Sequence, residues 1–571
     1  MKSYSPGFLL IISWLGLLVS AADVQSSQLL QITNLNGTAT FSWPLAASNF
    51  VLQTTASPGT SNTWTDLLLQ TNQVGNQIKA SMVLTNSQQF FRLRTPASSP
   101  FIPLFSFAAF YNLDLEINPG AGMLINGRVH SNQNIWATGS GSGASMLNFS
   151  GLVDAVGTIE TNRSPLDPAY APHAGYVSFK DITVQYAAPL YLNSTVVTNG
   201  NPTNVLAILN PPPAAYAPPD YSAAYFGAGT NYLQNAVDLI ISNPAAGLFA
   251  AKGTNIIIYY QNPNNAPEYL LPVFPDVVIS SNVTAGTPSI TNVIYAGYSF
   301  ATNVSFYDYR ETSTVQALQI NVGALNTWLT NSYTVGSTSA FFHCIFPVLG
   351  TTNLYATLGG QQYNQLNLSG ITSKGHSINS IYVYNNVNPT PFQLPGVRMF
   401  NGQQLPTDGL TVVTPQPMYV KGDYNTTTNG HAFSMTLGDT TNTYPAALFG
   451  DAVTILSTNW SDSYGSATPL FMRNPISTTI NAATLQGLVP SNGSQYSGGL
   501  ENFLRLLENW GSSTTLTYNG SIVVMFPSQY ATNYWMAPGT YYNVPTRQWG
   551  FDNNFTNAAK LPPLTPMVSN P

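Results

Sequence analysis

The chain has 571 residues, of which 16 are basic and 22 acidic, giving a formal net charge of −6, while 44% are apolar. A slightly acidic chain without a basic run excludes nucleic acid as a partner. Glu, Lys and Arg, which favour helices, are scarce, and the polar surface must come from Asn, Thr, Ser and Gln, so extended structure is expected over an α-rich fold.

Lys2 precedes an uncharged apolar run over residues 7–19, and Ser20-Ala21-Ala22 supplies the small residues of a signal-peptidase site. Residues 1–22 therefore read as a signal peptide, removed before Asp23. The run is shorter than the roughly 20 apolar residues that span a bilayer, and no other stretch approaches that length. The mature chain is expected to have no membrane span and to be exported, to the periplasm, the cell surface or beyond.

Residues 28–95 carry short strand patterns separated by Asn, Gly, Ser and Pro turns, with Trp43 and Trp64 as core candidates. This predicts a small immunoglobulin-like or fibronectin-like β-sandwich, and its FSWP, FVLQTT, TWTDL and QQFFRLR stretches resemble the accessory β modules of many secreted bacterial proteins. Residues 96–100, between two prolines, are the expected linker.

A large unit is expected over residues 101–571, organised around residues 105–139. There Leu113, Leu115 and Ile117 alternate with Asp114 and Glu116, and Asn118-Pro119-Gly120 turns the chain. The unit Ile125-Asn126-Gly127-Arg128-Val129 recurs as Phe149-Ser150-Gly151-Leu152-Val153, Leu485-Gln486-Gly487-Leu488-Val489 and Tyr518-Asn519-Gly520-Ser521-Ile522, with a looser copy at Val420-Lys421-Gly422-Asp423-Tyr424. Short strands with a repeated Gly corner suggest a β-helix or β-solenoid. An ordinary sandwich with Gly at its bends is the alternative. The expected fold is thus mainly β: a small N-terminal β-sandwich, then a β-solenoid-like domain with a few packed helices. Residues 231–242, 318–330 and 499–510 have apolar spacing near the helical period and supply those helices.

Site chemistry is sparse. Asp114 and Glu116 share a strand face, which could suit a glycosidase pair or a Ca²⁺ site, but they read first as solvated charges on an outer face. Asp308, Arg310 and Glu311 read as a loop cluster, with a buried ion pair as the other option. The single cysteine, Cys344, cannot form an internal disulfide. Its neighbour His343 would lie on the opposite strand face, so Cys344 reads as a small buried residue and not as a nucleophile. His130, His173, His343, His376 and His431 lack zinc spacing, and neither a phosphate loop nor a nucleophile elbow is legible. No catalytic, cofactor-binding or metal residue is assigned. The open question is whether Asp114, Glu116, Asp423 and Asp451 meet in one cleft.

Five stretches carry a resemblance: DLEINPGAGMLINGRVHSN from Asp114, GLTVVTP with PMYVKGDYN from Gly409, PAALFGDAVTIL from Pro445, YSGGLENF from Tyr496, and PTRQWGFD from Pro545. Together they resemble large secreted bacterial proteins related to the PilX pilus-assembly protein, over most of residues 105–566. The resemblance implies an exported, surface- or pilus-linked protein of β-helical character, and it brings no catalytic residue. The expected function is a non-enzymatic structural or adhesion-type role whose partners are surface or pilus components, or glycans. The alternative is a β-helix protein that acts on polysaccharide or binds carbohydrate.

Overall fold

The computed structural model describes residues 101–170, 300–330, 377–428 and 443–569 without a break, together with shorter stretches, mostly strands, elsewhere. The chain divides into two compact units, residues 1–101 and 102–571.

In the first unit, Gln31–Leu35, Thr38–Pro44, Gln77–Val83 and Thr71–Val74 form one antiparallel sheet. A second antiparallel sheet contains Val51–Thr55, Thr65–Asp66, Gln89–Arg94 and Leu10–Ile12, the last lying inside the expected signal segment. Phe41 and Trp43 of one sheet and Leu52 and Phe91 of the other share one core, the Phe41 and Phe91 rings standing 4.7 Å apart. Trp64 lies outside the described residues.

The second unit is mainly β, and Val322–Thr330 is the α-helix among its described residues. Each pass of the chain over residues 107–186 visits parallel ladders in the same order. Phe107–Tyr111, Arg128–Ser131, Val153–Ala155 and Val184–Tyr186 make one ladder. Leu115–Ile117, Ile135–Ala137 and Ile159–Glu160 make a second, and Met123–Ile125, Leu147–Phe149 and Val177–Phe179 a third. Val129 pairs with Val153, Ile135 with Ile159 and Met123 with Leu147, all at a step of 24 residues. The step is 20 at Phe110–His130 and 31 at Val153–Val184, and so no strict period shows in the sequence.

The C-terminal half extends the first ladder from its other side. Leu239–Asn243, Ser380–Asn385, Leu410–Val413, Ala446–Phe449, Ala483–Leu488 and Ile522–Pro527 pair in parallel in that order, and Ile522–Pro527 then pairs with Phe107–Tyr111. A second parallel sheet stacks Ser313–Asn321, Gln393–Gln404, Met418–Thr428, Thr478–Asn481, Thr515–Gly520 and Thr546–Phe551. Inside this stack Asn425, Asn481 and Asn519 bond from pass to pass. Asn481 Nδ2 donates to the Asn425 carbonyl at 3.0 Å, and Asn519 Nδ2 donates to Asn481 Oδ1 at 2.8 Å.

The long sheet is buried on both faces. Ile381, Val383, Val412, Leu448 and Val524 enter one apolar cluster, and the alternating Tyr382, Val413, Phe449 and Val523 enter the other. Sheets covered on both sides carry continuous apolar runs, which accounts for segments such as LTVV and VVMF. Phe105, Phe107, Phe555 and Val568, from the two ends of the unit, complete the outer cluster.

Of the three expected helices, two are corrected and one is shortened. In 231–242, Leu239–Asn243 is a strand, because Leu239 and Ile241 face one core and Ile240 the other. In 318–330 the first residues belong to the Ser313–Asn321 strand and only Val322–Thr330 is helical. In 499–510 there is a 3-10 turn, Leu500–Asn502, and a short strand, Arg505–Leu506. Leu500, Leu504 and Leu507 are buried as a helix face would be, but so are Glu501, Arg505 and Glu508. A surface helix would leave its polar stripe in water.

Asp308, Arg310 and Glu311 are buried and do not form a solvated loop. Asp308 accepts the backbone N–H groups of Arg310 and Glu311 and the Tyr419 hydroxyl, the last at 2.7 Å. The ion pair is Glu311 with Arg505, at 2.6 Å.

Candidate functional site

The turn at Asn118-Pro119-Gly120 sends the chain from Leu115–Ile117 to Met123–Ile125, and this loop forms one wall of a cleft of about 1020 Å³. The facing walls come from residues 496–502, from Trp535 and from the Thr546–Phe551 strand, where Arg547, Gln548 and Trp549 all contribute. Three of the stretches quoted above, those starting at Asp114, Tyr496 and Pro545, thus meet at one place.

Glu501 is the described carboxylate of this lining, and it is 3% exposed. The Asn118 N–H donates to its Oε2 at 3.0 Å, and the Tyr496 hydroxyl donates to its Oε1 at 3.2 Å. Gly499 makes this possible. Its φ is +69°, and a Cβ there would stand 2.3 Å from both Glu501 Oε2 and the Tyr496 hydroxyl. Burial pushes the Glu501 carboxyl up to about 7 against the pull of these donors.

Next to it, Asn502 is held by three bonds. Its Nδ2 donates to the Gly498 carbonyl at 2.8 Å, and its Oδ1 accepts from Arg547 at 2.6 Å and from the Tyr542 hydroxyl at 3.0 Å. Trp535 Nε1 donates to the same Tyr542 hydroxyl at 2.8 Å, and its ring meets that of Tyr496 edge-on at 5.5 Å. Trp549 lies 5.7 Å under the Arg547 guanidinium. Tyr176 and Leu124 are 48% and 55% exposed and bring free apolar surface to the cleft. The result is a set of aromatic faces and fixed polar groups on a hydrogen-bonded frame.

Glu116 lies behind this wall and is 7% exposed, so it is not a solvated outer charge. Burial pushes it up to about 7, beside Ser491, Ser497, Asp167 and Asp114. Asp114 is half-buried and ties one pass to the next, accepting from the Asn134 N–H and Nδ2, both at 2.9 Å, and from Trp136 Nε1. Asp423 accepts the Thr479 N–H at 2.8 Å, and Asp451 accepts three successive N–H groups from Gln529, Tyr530 and Ala531. Neither lines the cleft, so the four carboxylates do not share it.

His130 is fully buried and bonded to Asp154 and to Asn132 Oδ1. Cys344 stands on a short strand paired with Gln361–Gln365, while His173, His343 and His376 lie outside the described residues. Among the described residues no group of three or more His, Cys, Asp or Glu is placed to hold a metal, and no helix is long and apolar enough to cross a membrane.

Sequence reasoning missed Glu501, Arg547, Trp535 and Trp549. The available signal is the Gly498-Gly499 pair just upstream of Glu501, with Leu500 between, which permits a close turn but which the helical spacing of 499–510 obscures. No known protein family, curated protein or solved structure matches the chain.

Proposed function

We propose that this is an exported, surface- or pilus-associated adhesion-type protein, built as a β-solenoid, that holds a glycan in the cleft. The observation that carries the reading is the lining itself: Trp535, Trp549, Tyr176 and Tyr496 beside Asn502, Gln548, Arg547 and Glu501. Sugars offer flat C–H faces and a rim of hydroxyls, which aromatic rings and fixed planar polar groups complement. The frame supports this role because Asn502, Tyr542 and Trp535 are locked to one another before any ligand arrives. The signal segment and the PilX-related resemblance support export and a surface setting.

The test is a glycan array probed with the secreted chain, followed by calorimetry on the hits. Trp535→Ala and Trp549→Ala should each weaken binding about tenfold, equivalent to about 1.4 kcal/mol. Binding unchanged in both variants would remove the cleft from the reading. Release of new reducing ends from a bound polysaccharide would instead show an enzyme.

A further inference from the structure

The charge of the cleft differs from that of the chain. The protein has 22 acidic and 16 basic residues, yet Arg163 and Arg547 line the cleft against the single described carboxylate of Glu501. We propose that the ligand is an acidic glycan, a sugar carboxylate being taken by the Arg547 guanidinium while Arg163 supplies a second positive charge. This rests on the glycan reading above and narrows it.

Arg547 carries the argument. It stands on the Thr546–Phe551 strand, two residues from Trp549, so both side chains leave the same face. One terminal nitrogen is held by Asn502 Oδ1 at 2.6 Å, while Nε is buried without a hydrogen-bond partner. An unpaired buried donor on a charged group is costly, and a carboxylate is the acceptor whose two oxygens match the guanidinium fork. Asn502 and the Trp549 ring already fix the plane of that fork, so little orientation is lost on binding.

Glu501 is the carboxylate that acts on Arg547, and its two oxygens are turned into the wall by the Asn118 N–H and the Tyr496 hydroxyl. The groups around it are Arg547 on the facing strand, Glu116 on Leu115–Ile117, Tyr111 on Phe107–Tyr111, and Tyr496 and Tyr542. With its carboxyl pushed up to about 7, Glu501 is largely uncharged in mild acid, where a uronate is still an anion. Arg163 is engaged with Asp167 at 2.8 Å, so it acts through its field and not as a free fork.

The experiment uses the full secreted chain and a panel of uronate oligosaccharides, from galacturonan, alginate and hyaluronan, each beside its carboxyl-reduced neutral form. Calorimetry should show at least one acidic member bound tenfold or more tighter than its neutral partner, with affinity falling between pH 5.5 and 8. Arg547→Gln should abolish the acid preference, and Arg547→Lys should keep part of it. Glu501→Gln should flatten the pH dependence. If Arg547→Gln does not fold, Arg163→Gln should still lower the preference several-fold. Neutral forms bound as well as acidic ones would overturn the proposal and leave the glycan reading standing. Failure of the panel and of the whole glycan array, or binding of an acidic peptide alone, would overturn both.

Discussion

Glu116, Glu501 and Glu508 are 7%, 3% and 1% exposed, and burial pushes each carboxyl from an ordinary 4.5 up to about 7. Glu508 stays high although the Ser457 N–H and hydroxyl both donate to it, at 2.6 and 2.7 Å. The folded chain therefore holds protons that the unfolded chain releases between pH 4.5 and about 7. A folded pKa above the unfolded one means that stability is full at the acidic end of this window and is lost as pH rises through it. Each group contributes a slope of at most about 1.4 kcal/mol per pH unit. The melting midpoint should fall from pH 5 to pH 7 and level off above, with a shallower fall in Glu508→Gln. A midpoint that rises over the same window would show that these carboxyls are ionised in the folded chain.

At the scale of the element, the Gly corners decide how closely one pass lies on the next. Gly127 has a φ of +106°, and a Cβ there would stand 3.0 Å from the Ala108 methyl and the Phe551 ring. Gly151, at the equivalent corner of the next pass, would put its Cβ 2.0 Å from the Gly127 carbonyl oxygen. Strand spacing of about 4.8 Å leaves no room for a side chain between these backbones. Gly127→Val should cost about 1–3 kcal/mol from the backbone strain alone. Gly151→Ala should also destabilise, since backbone must move. Urea denaturation reads both, and a midpoint unchanged in both variants would show that the corners tolerate a side chain.

On the scale of the whole molecule, a C-terminal strand joins the two parts of the long sheet. Ile522–Pro527 joins Ala483–Leu488 to Phe107–Tyr111, and so this strand lies inside the long sheet and not at its edge. The tail beyond them is also built in. Phe555 and Val568 are buried in the outer cluster, Pro566 accepts the Leu104 N–H at 2.9 Å, and Pro563 accepts the Thr411 hydroxyl at 2.6 Å. Burying a large apolar side chain contributes about 1.5–3 kcal/mol, so these two residues alone approach the net stability of a marginal domain. Ending the chain after Asp552 should therefore give an aggregating or protease-sensitive product. A truncated chain that stays monomeric and resists limited proteolysis would show the tail to be dispensable.

The sequence alone determined the mainly β class, the turn at Asn118-Pro119-Gly120 and the Gly corners, because propensity, alternation and turn chemistry are local properties. Stretches such as YSGGLENF and PTRQWGFD stood out there too, without a role. The tertiary structure decided the rest, because it depends on residues far apart in the chain. Glu501 meets the Asn118 N–H across 383 positions, and Asn112 reaches the Met525 carbonyl across 413. The apolar spacing of 499–510 fits a helix as well as an irregular segment buried on all sides, and only the packing distinguishes them. Whether Asp114, Glu116, Asp423 and Asp451 converge is likewise a question of stacking order, which pairs the C-terminal strands of the second unit with its first ones through backbone hydrogen bonds that no side-chain pattern records.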